Sequence, residues 1–276
     1  MRYRQYAPSA LLGRFVECFW TLESSANERL AQQRIVADGR AEIILHLGEP
    51  PLMQVGTSLQ KQSRCFLAGQ ITRPLLVFPS SSMSVVGIRL RPGTSARWLG
   101  APMGEFTDQM PTIDDLPSHI QQALGCLNTD VPAQAVRCLD RSLRESLKSS
   151  QTQTRIEHAV QMVFHSRGAV RIERLADEVN LSRRQLERCF SQEVGLSPKA
   201  FTRIIRFQNV FQAYESERDW VTVAHSCGYY DQAHLIQDFR ELAGEPPTKL
   251  LARESDLARA FLQASHFSKT DSALLP

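Results

Sequence analysis

Short apolar runs alternate with turn residues along the first half of the chain. The runs cover 42–48, 64–69, 75–79 and 84–90, and glycine, proline and serine separate them. Apolar runs of this length between such residues predict β-strands. Turns at intervals of about ten residues are typical of a small sandwich or barrel. The pattern therefore predicts a β-rich domain over residues 1–116.

The pattern becomes helical after that domain. Over 117–149, apolar residues recur at steps of three and four, which predicts a helical connector with one apolar stripe. That stripe can pack on its own domain or pair with a second copy of the chain. The polar segment SSQTQT (149–154) predicts a linker, residues 155–253 predict helices throughout, and 254–276 form a C-terminal tail. The predicted fold class is a two-domain α+β chain.

The predicted helical half contains one unit twice, at 175–201 and 223–251. Apolar positions, a turn glycine and a helix-start proline recur at an offset of 49 residues: Leu186 and Leu235, Phe190 and Phe239, Gly195 and Gly244, Pro198 and Pro247. Ala176 and Ala224 match at an offset of 48, so the second copy has one extra residue in its internal turn. This agreement indicates a duplicated supersecondary unit.

Each copy predicts a short helix, a tight turn and a second helix, which is the helix-turn-helix arrangement. In the first copy, Ser182 is the predicted N-cap and Gln185 completes a capping box. Asp231 is the predicted N-cap in the second copy. Between the copies, Ser197 and Pro198 begin a predicted long helix with one apolar face. Two units joined rigidly in this way can place two helices in successive major grooves, about 34 Å apart.

Residues 155–253 resemble the DNA-binding domain of the AraC/XylS family of bacterial transcription regulators. The segments that carry the resemblance are LADEVNLSRRQLERCFSQEVGLSPKAF and VAHSCGYYDQAHLIQDFRELAGEPPTKL. The N-terminal part is similar to the cupin-like sensor domains of one poorly characterised sub-group, through ADGRAEIILHLG, GQITRP and GIRLRPG. The resemblance implies a cupin-like barrel or sandwich followed by an all-α, homeodomain-like tandem helix-turn-helix domain.

The resemblance also implies which side chains contact DNA. The candidates on the second helix of each unit and in the turn before it are Arg183, Arg184, Gln185, Glu187, Arg188, Tyr230, Asp231, Gln232, His234 and Gln237. Arginine pairs with guanine, glutamine pairs with adenine, and glutamate accepts from cytosine. The structural alternatives are a solvated pair of Glu187 with Arg183 or Arg184, a capping role for Gln185, exposed amides without a partner at Gln232 and Gln237, and inward packing of His234. Many family members have arginine or lysine where this chain has Gln237.

Charge differs between the two predicted units, although the whole chain is only weakly basic. The chain has 32 basic and 29 acidic residues, a net charge of +3, and only five of the basic residues are lysines. Arginine suits phosphates and guanine edges, but codon usage in a GC-rich genome explains the bias equally well. Residues 155–206 carry a net charge of +4 and residues 207–253 a net charge of −3. Because phosphate neutralisation dominates affinity, the first unit is expected to anchor the protein on DNA.

The candidate effector-binding residues of the β-rich domain are Trp20, Glu42, His46, Arg89 and Arg91. Arg89 and Arg91 alternate along a predicted strand, so they are expected to share a face that binds an anionic effector or pairs with carboxylates such as Glu42. His46 has no H-x-H partner, which favours a neutral pocket histidine over a metal ligand. The six cysteines are scattered without C-x-x-C spacing. We therefore expect an apolar-walled pocket, with no metal and no cofactor.

Together, these patterns predict a DNA-binding transcription regulator with an effector-sensing or dimerising N-terminal domain and no enzymatic activity. The expected partners are double-stranded promoter DNA, RNA polymerase, a small-molecule effector and a second copy of the chain. No apolar run is long enough to span a membrane and no signal peptide is visible, so we expect a soluble, cytoplasmic protein. The alternatives are a constitutive regulator, an enzyme with a DNA-targeting module and a DNA-repair protein; missing catalytic motifs and scattered cysteines disfavour the last two.

Overall fold

The computed structural model describes residues 2–24, 32–79, 82–125, 127–147 and 154–252. A β-rich first half is followed by a helical second half, which confirms the predicted α+β fold class. The predicted linker at 149–154 lies outside the described residues except for Thr154, and the predicted tail at 254–276 lies outside them entirely.

Antiparallel strands form two sheets in the described part of the first half. The strands are β1 (Arg2–Tyr6), β2 (Val16–Glu23), β3 (Gln33–Ile35), β4 (Glu42–His46), β5 (Leu52–Val55), β6 (Ser58–Lys61), β7 (Cys65–Ala68), β8 (Leu75–Phe78) and β9 (Ser84–Leu90). One sheet has the order β1-β2-β9-β4-β7 and the other has the order β3-β8-β5-β6. The apolar runs predicted as strands are β4, β7, β8 and β9, so these predictions are confirmed.

Trp20 lies across the centre of the larger sheet because a glycine faces it. In the pairing of β2 with β9, Trp20 is opposite Gly87. A Cβ atom at Gly87 would lie 1.9 Å from the indole ring, which is closer than any real contact. Glycine therefore leaves the space that the indole occupies, and Trp20 is only 2% exposed.

The predicted helical connector packs into the core of the first half. Its helices are α2 (Ser118–Gly125) and α3 (Pro132–Glu145), and they follow a short helix, α1 (Ser95–Leu99). Val136, Leu139 and Leu143 on α3 are fully buried in the same apolar cluster as Ile88 of β9. The stripe that the sequence left open to a second copy of the chain is thus covered within the chain.

The second half is helical over all of its described length apart from short turns. Its helices are α4 (Arg155–His165), α5 (Ile172–Glu178), α6 (Arg183–Val194), α7 (Pro198–Glu217), α8 (Trp220–Ser226), α9 (Gln232–Ala243) and α10 (Pro247–Ala252). Helix α8 begins 48 residues after α5, and α9 begins 49 residues after α6, so the extra residue lies in the second turn as predicted. Asn180 and Gly228 take the same left-handed conformation there, with φ of 51° and 75°. Among these helices, none is both long and apolar enough to cross a membrane.

An apolar interface joins the two halves. Ala37 and Ile71 from the first half belong to the same buried cluster as Phe201 and Ile205 of α7. Gly39 has φ of 78°, and a Cβ atom there would lie 3.0 Å from both Phe201 and Ile205. The loop between β3 and β4 therefore lies directly against α7.

Polar contacts surround that interface. The buried carboxylate of Glu157 on α4 pairs with Arg14, 3.1 Å away, and with Arg97 of α1. A separate ion pair joins Arg34 of β3 to Glu245, which follows α9, over 2.6 Å. These ion pairs add polar links between the two halves to the apolar contact.

Candidate nucleic-acid interface and ligand cavity

Helix α6 presents two arginines to solvent from a well-anchored backbone. Leu186 and Phe190 are fully buried one turn apart, which fixes one face of the helix in the core. Arg184 and Arg188 lie on the exposed side. Neither has an ion pair or hydrogen bond within the described residues, so both guanidinium groups are available to bases or phosphates.

The other candidates on α6 have partners inside the protein. Arg183 lies 3.4 Å from Glu187 and 3.6 Å from Glu173, as exposed ion pairs. Gln185 accepts a hydrogen bond from the backbone N–H of Ser182 over 2.9 Å and completes the predicted capping box. Gln185 therefore stabilises the start of the helix.

Helix α9 occupies the equivalent position in the second unit. The carboxylate of Asp231 accepts from the backbone N–H of His234 over 2.7 Å, which confirms the predicted N-cap. Gln232 and Gln237 are exposed, and Gln237 donates to Glu241 over 3.2 Å. Tyr230 is 86% exposed in the turn before the helix. The exposed face of α9 thus carries amides and an aromatic ring where α6 carries arginines.

His234 is exposed at the start of α9 and also packs against the preceding turn. The residue is exposed, but its ring packs edge-on against buried Tyr229, with the ring centroids 5.2 Å apart. The guanidinium of Arg206 on α7 lies 4.9 Å from the centroid of the same tyrosine. Tyr229 is therefore the core anchor of the turn, with a cation and a second ring packed on it.

A cavity of about 140 Å³ lies between the two sheets. Its apolar walls include Trp20, Ile44 and Val85 from one sheet and Ile35, Leu75 and Val77 from the other. Of the predicted effector-binding residues, Trp20, Glu42 and His46 line this cavity. The sequence thus predicted part of one coherent pocket.

Arg89 lies behind the cavity wall and pairs with carboxylates. Its Nε donates to Glu42 over 2.7 Å, and Asp38 lies 3.8 Å from its Nη2. The two carboxylates raise the pKa of Arg89 against the opposing effect of burial. Burial raises the pKa of Glu42, and the charge and hydrogen bond of Arg89 oppose that shift. Of the two roles left open for Arg89, the structure shows pairing with carboxylates.

The expectation that Arg91 shares a face with Arg89 is wrong. Strand β9 ends at Leu90, so the alternation of side chains stops there. Arg91 is exposed, and its Nε donates to the backbone carbonyl of Gly13 over 2.5 Å. It does not line the cavity.

His46 has the environment of a neutral histidine. It is 7% exposed, and its Nε2 lies 3.1 Å from Oε1 of Gln62. Burial lowers the pKa of His46 to about 4, although the hydrogen bond with Gln62 opposes the shift. Within the described residues, no three His, Cys, Asp or Glu side chains form a group that could hold a metal ion.

The sequence did not identify the third wall of the cavity, which comes from the helical half. Gln208 and Phe211 on α7 and Leu250 on α10 line it. Gln208 is only 4% exposed, and Thr202 and Asn209 are also buried on this helix. Polar residues among the buried positions of the predicted long helix were the available signal for this wall.

Comparisons with known proteins match the β-rich half and the helical half to two different domain families. Residues 4–111 match the model of a domain of unknown function (DUF6597), and residues 175–253 match that of a helix-turn-helix domain. The transcriptional activator RhaS of Pectobacterium atrosepticum is 30% identical over 77 residues, which are 28% of each chain. The transcriptional regulator GbdR of Pseudomonas aeruginosa is 34% identical over 79 residues, 28% of this chain and 21% of GbdR. The matched part thus spans less than a third of either relative.

Solved structures resemble the whole chain more loosely. ToxT from Vibrio cholerae aligns with 85% of this chain and 98% of its own, at 12% identity and a TM-score of 0.47. The AraC-like transcriptional activator CuxR aligns with 77% of this chain and 86% of its own, at 12% identity and a TM-score of 0.21.

Proposed function

Because residues 175–253 match the model of a helix-turn-helix domain, we propose that this chain is a sequence-specific DNA-binding regulator of transcription of the AraC type. It occupies a promoter site through α6 and α9, each the second helix of its unit. The N-terminal domain changes that occupancy, or the contact with RNA polymerase, when an effector enters the cavity. The protein acts in the cytoplasm, and no chemical step is required.

The exposed face of α6 is the observation that carries this proposal. A helix that is buried on one side and capped at its start is held rigidly enough to enter a major groove. Arg184 and Arg188 lie on its outer side without internal partners in the described residues. Unpaired arginines one turn apart are suited to guanine edges, with each bidentate pair worth about 1–3 kcal/mol of discrimination.

The second unit makes a smaller contribution to binding. Gln232 and Gln237 on α9 are candidates for adenine contacts, and the exposed Tyr230 is a candidate for contact with the sugar-phosphate backbone. Gln237 is already hydrogen-bonded to Glu241, so part of its contact with DNA replaces an internal bond. We therefore assign most of the specificity to α6.

Selection of bound sequences from random duplex DNA by the full-length protein tests the proposal. We expect one enriched site with two half-sites. Arg188→Ala should relax preference at one or two base pairs of one half-site, because a base contact affects only the positions that it reads. The matched control is Arg141→Ala, which removes an exposed arginine of α3 on the other half of the chain. No enrichment by the unaltered protein would overturn the proposed function, and equal weakening on all sequences would make Arg188 a phosphate contact instead.

A further inference from the structure

The helix that joins the two helix-turn-helix units contributes to the wall of the cavity between the sheets. Helix α7 runs from Pro198 to Glu217, between the first and second helix-turn-helix unit. Its residues Gln208 and Phe211 line the cavity together with strands of both sheets. A molecule in the cavity therefore contacts the β-rich N-terminal half and the helical DNA-binding half at the same time.

Gln208 of α7 lines this cavity, and one hydrogen-bonding atom of its side chain has no partner within the described part of the chain. The amide nitrogen of Gln208 donates to the backbone carbonyl of Ala37 in the loop between β3 and β4. Since a carbonyl only accepts, this bond fixes which end of the amide is nitrogen and which is oxygen. The oxygen, Oε1, is buried and has no hydrogen-bond partner within the described residues. Buried acceptors without a partner are rare, and they need either water or a ligand.

The charges around the cavity are already neutralised by the protein. Arg34 pairs with Glu245, and Arg40 pairs with Glu17 over 2.8 Å. Glu42 is held by Arg89, and it also accepts from the indole N–H of Trp20 over 3.2 Å.

The remaining charged or titratable residues of the wall also have partners. Asp38 lies 3.8 Å from Nη2 of Arg89 and accepts from the backbone N–H of Arg40 over 2.9 Å. His46 is bonded to Gln62. Among the described residues, no lining cation is left to hold an anion and no lining carboxylate is left to hold an amine. An ionic ligand would have to lose its hydration without gaining a counter-charge, which is unfavourable.

The volume limits the size of the occupant. The cavity measures about 140 Å³. An engineered apolar cavity of about 150 Å³ in another protein accepts benzene, so the space fits one aromatic ring or a short hydrocarbon.

We propose that the cavity binds an uncharged, ring-sized apolar molecule that carries one hydroxyl or N–H group, and that Gln208 Oε1 accepts the hydrogen bond from that group. This inference deepens the proposed function, since it names the effector class and the residue of the DNA-binding domain that recognises it. Gln208 is a specificity-determining residue, because its oxygen separates molecules with a donor from apolar molecules of the same shape.

The test uses three probes with the full-length protein and no DNA. Phenol has the donor, toluene has the same shape without it, and benzoate carries a charge. Isothermal calorimetry should show phenol binding with one site per chain, and benzoate at least tenfold weaker. In Gln208→Met, the dissociation constant of toluene divided by that of phenol should fall about five- to tenfold. This change corresponds to the usual contribution of one hydrogen bond. Gln212→Met makes the same change at an exposed position of α7 and should leave the ratio unaltered.

A second variant keeps the test informative if Gln208→Met fails to fold. Val77→Phe places a ring in the cavity, and it should abolish phenol binding while DNA binding is retained. The inference is overturned if phenol does not bind, if benzoate binds as well as phenol, or if phenol binding survives in Val77→Phe. An unchanged ratio in a folded Gln208→Met protein would also overturn it. Failure of the unaltered protein to bind DNA would instead overturn the proposed function, because the calorimetry contains no DNA.

Discussion

Arg203 of α7 donates a hydrogen bond from Nε to Oδ1 of Asp238 on α9 over 2.7 Å. The same guanidinium also pairs with Glu241. Two acids that make the second unit net negative are therefore neutralised by an arginine of the first unit, and Asp238 is only 2% exposed. The two units therefore differ less in the charge that they present to DNA than their net charges suggest. The remaining difference comes mainly from the exposed side chains of α6 and α9.

Removal of both free arginines of α6 should weaken DNA binding more than removal of both glutamines of α9. We compare Arg184→Ala/Arg188→Ala with Gln232→Ala/Gln237→Ala, each titrated with the selected site over a series of salt concentrations. The arginine pair should also flatten the salt dependence by about one unit for each phosphate that the variant no longer neutralises. Equal weakening, or a larger effect from the glutamine pair, would show that both units bind DNA alike.

Glu157→Gln should loosen the packing of the two halves on each other. Its carboxylate joins Arg14 and Arg97 to α4, and the glutamine amide cannot replace either ion pair. We expect a decrease of about 1–2 kcal/mol in the free energy of unfolding and faster amide exchange in α4. Glu187→Gln, which removes an exposed pair with Arg183, should change stability by less than about 0.5 kcal/mol. Equal effects of the two substitutions would exclude a special role for Glu157.

His46 should make the protein less stable in mild acid. Its pKa is about 4 in the folded state and about 6.5 when unfolded, so the unfolded state binds more protons between these values. Stability should therefore fall by up to about 3 kcal/mol as the pH falls from about 6.5 to 4. Denaturant unfolding at a series of pH values should show a shallower fall in His46→Gln. His165 is exposed, so the control variant His165→Gln should show the same pH dependence of stability as the unaltered protein.

Gly39→Ala should cost more stability than Gly100→Ala. Both glycines are left-handed, with φ of 78° and 68°, so each alanine incurs similar backbone strain of about 1 kcal/mol. A Cβ atom at Gly100 meets nothing within 4 Å, whereas one at Gly39 lies 3.0 Å from Phe201 and Ile205. The additional destabilisation in Gly39→Ala therefore measures the packing of the β3–β4 loop on α7. Thermal unfolding of the two variants gives the comparison, and equal melting temperatures would contradict the close approach.

The helical half was predictable because its signals are local. Caps, turn residues and apolar spacing lie within a few residues of the elements that they specify, as Ser182 and Gln185 do for α6. Even the extra residue of the second turn was visible from the offsets of Ala224 and Leu235. Strands β1, β2, β3, β5 and β6 were not predicted. For β5 and β6 the reason is that their mostly exposed residues lack an apolar run.

The cavity was only partly predictable because its walls come from distant parts of the chain. Glu42 and His46 were identified on a predicted strand and Trp20 as a large aromatic residue, but Gln208 lies 171 residues from its partner Ala37. Periodicity shows that α7 has a buried face, and it does not show what covers that face. The position of Arg91 was predicted wrongly for a related reason, since strand alternation does not reveal the residue at which the strand ends.

The loop between β3 and β4 also has a consequence for biosynthesis. The ribosome completes the first half of the chain before it makes α7, and domains generally fold as they emerge. Ala37 and Ile71 are covered by residues such as Phe201 and Ile205, which are synthesised more than a hundred positions later. During that interval the nascent domain exposes the apolar surface around Ala37 and Ile71, and surface of that kind promotes aggregation and binding by chaperones.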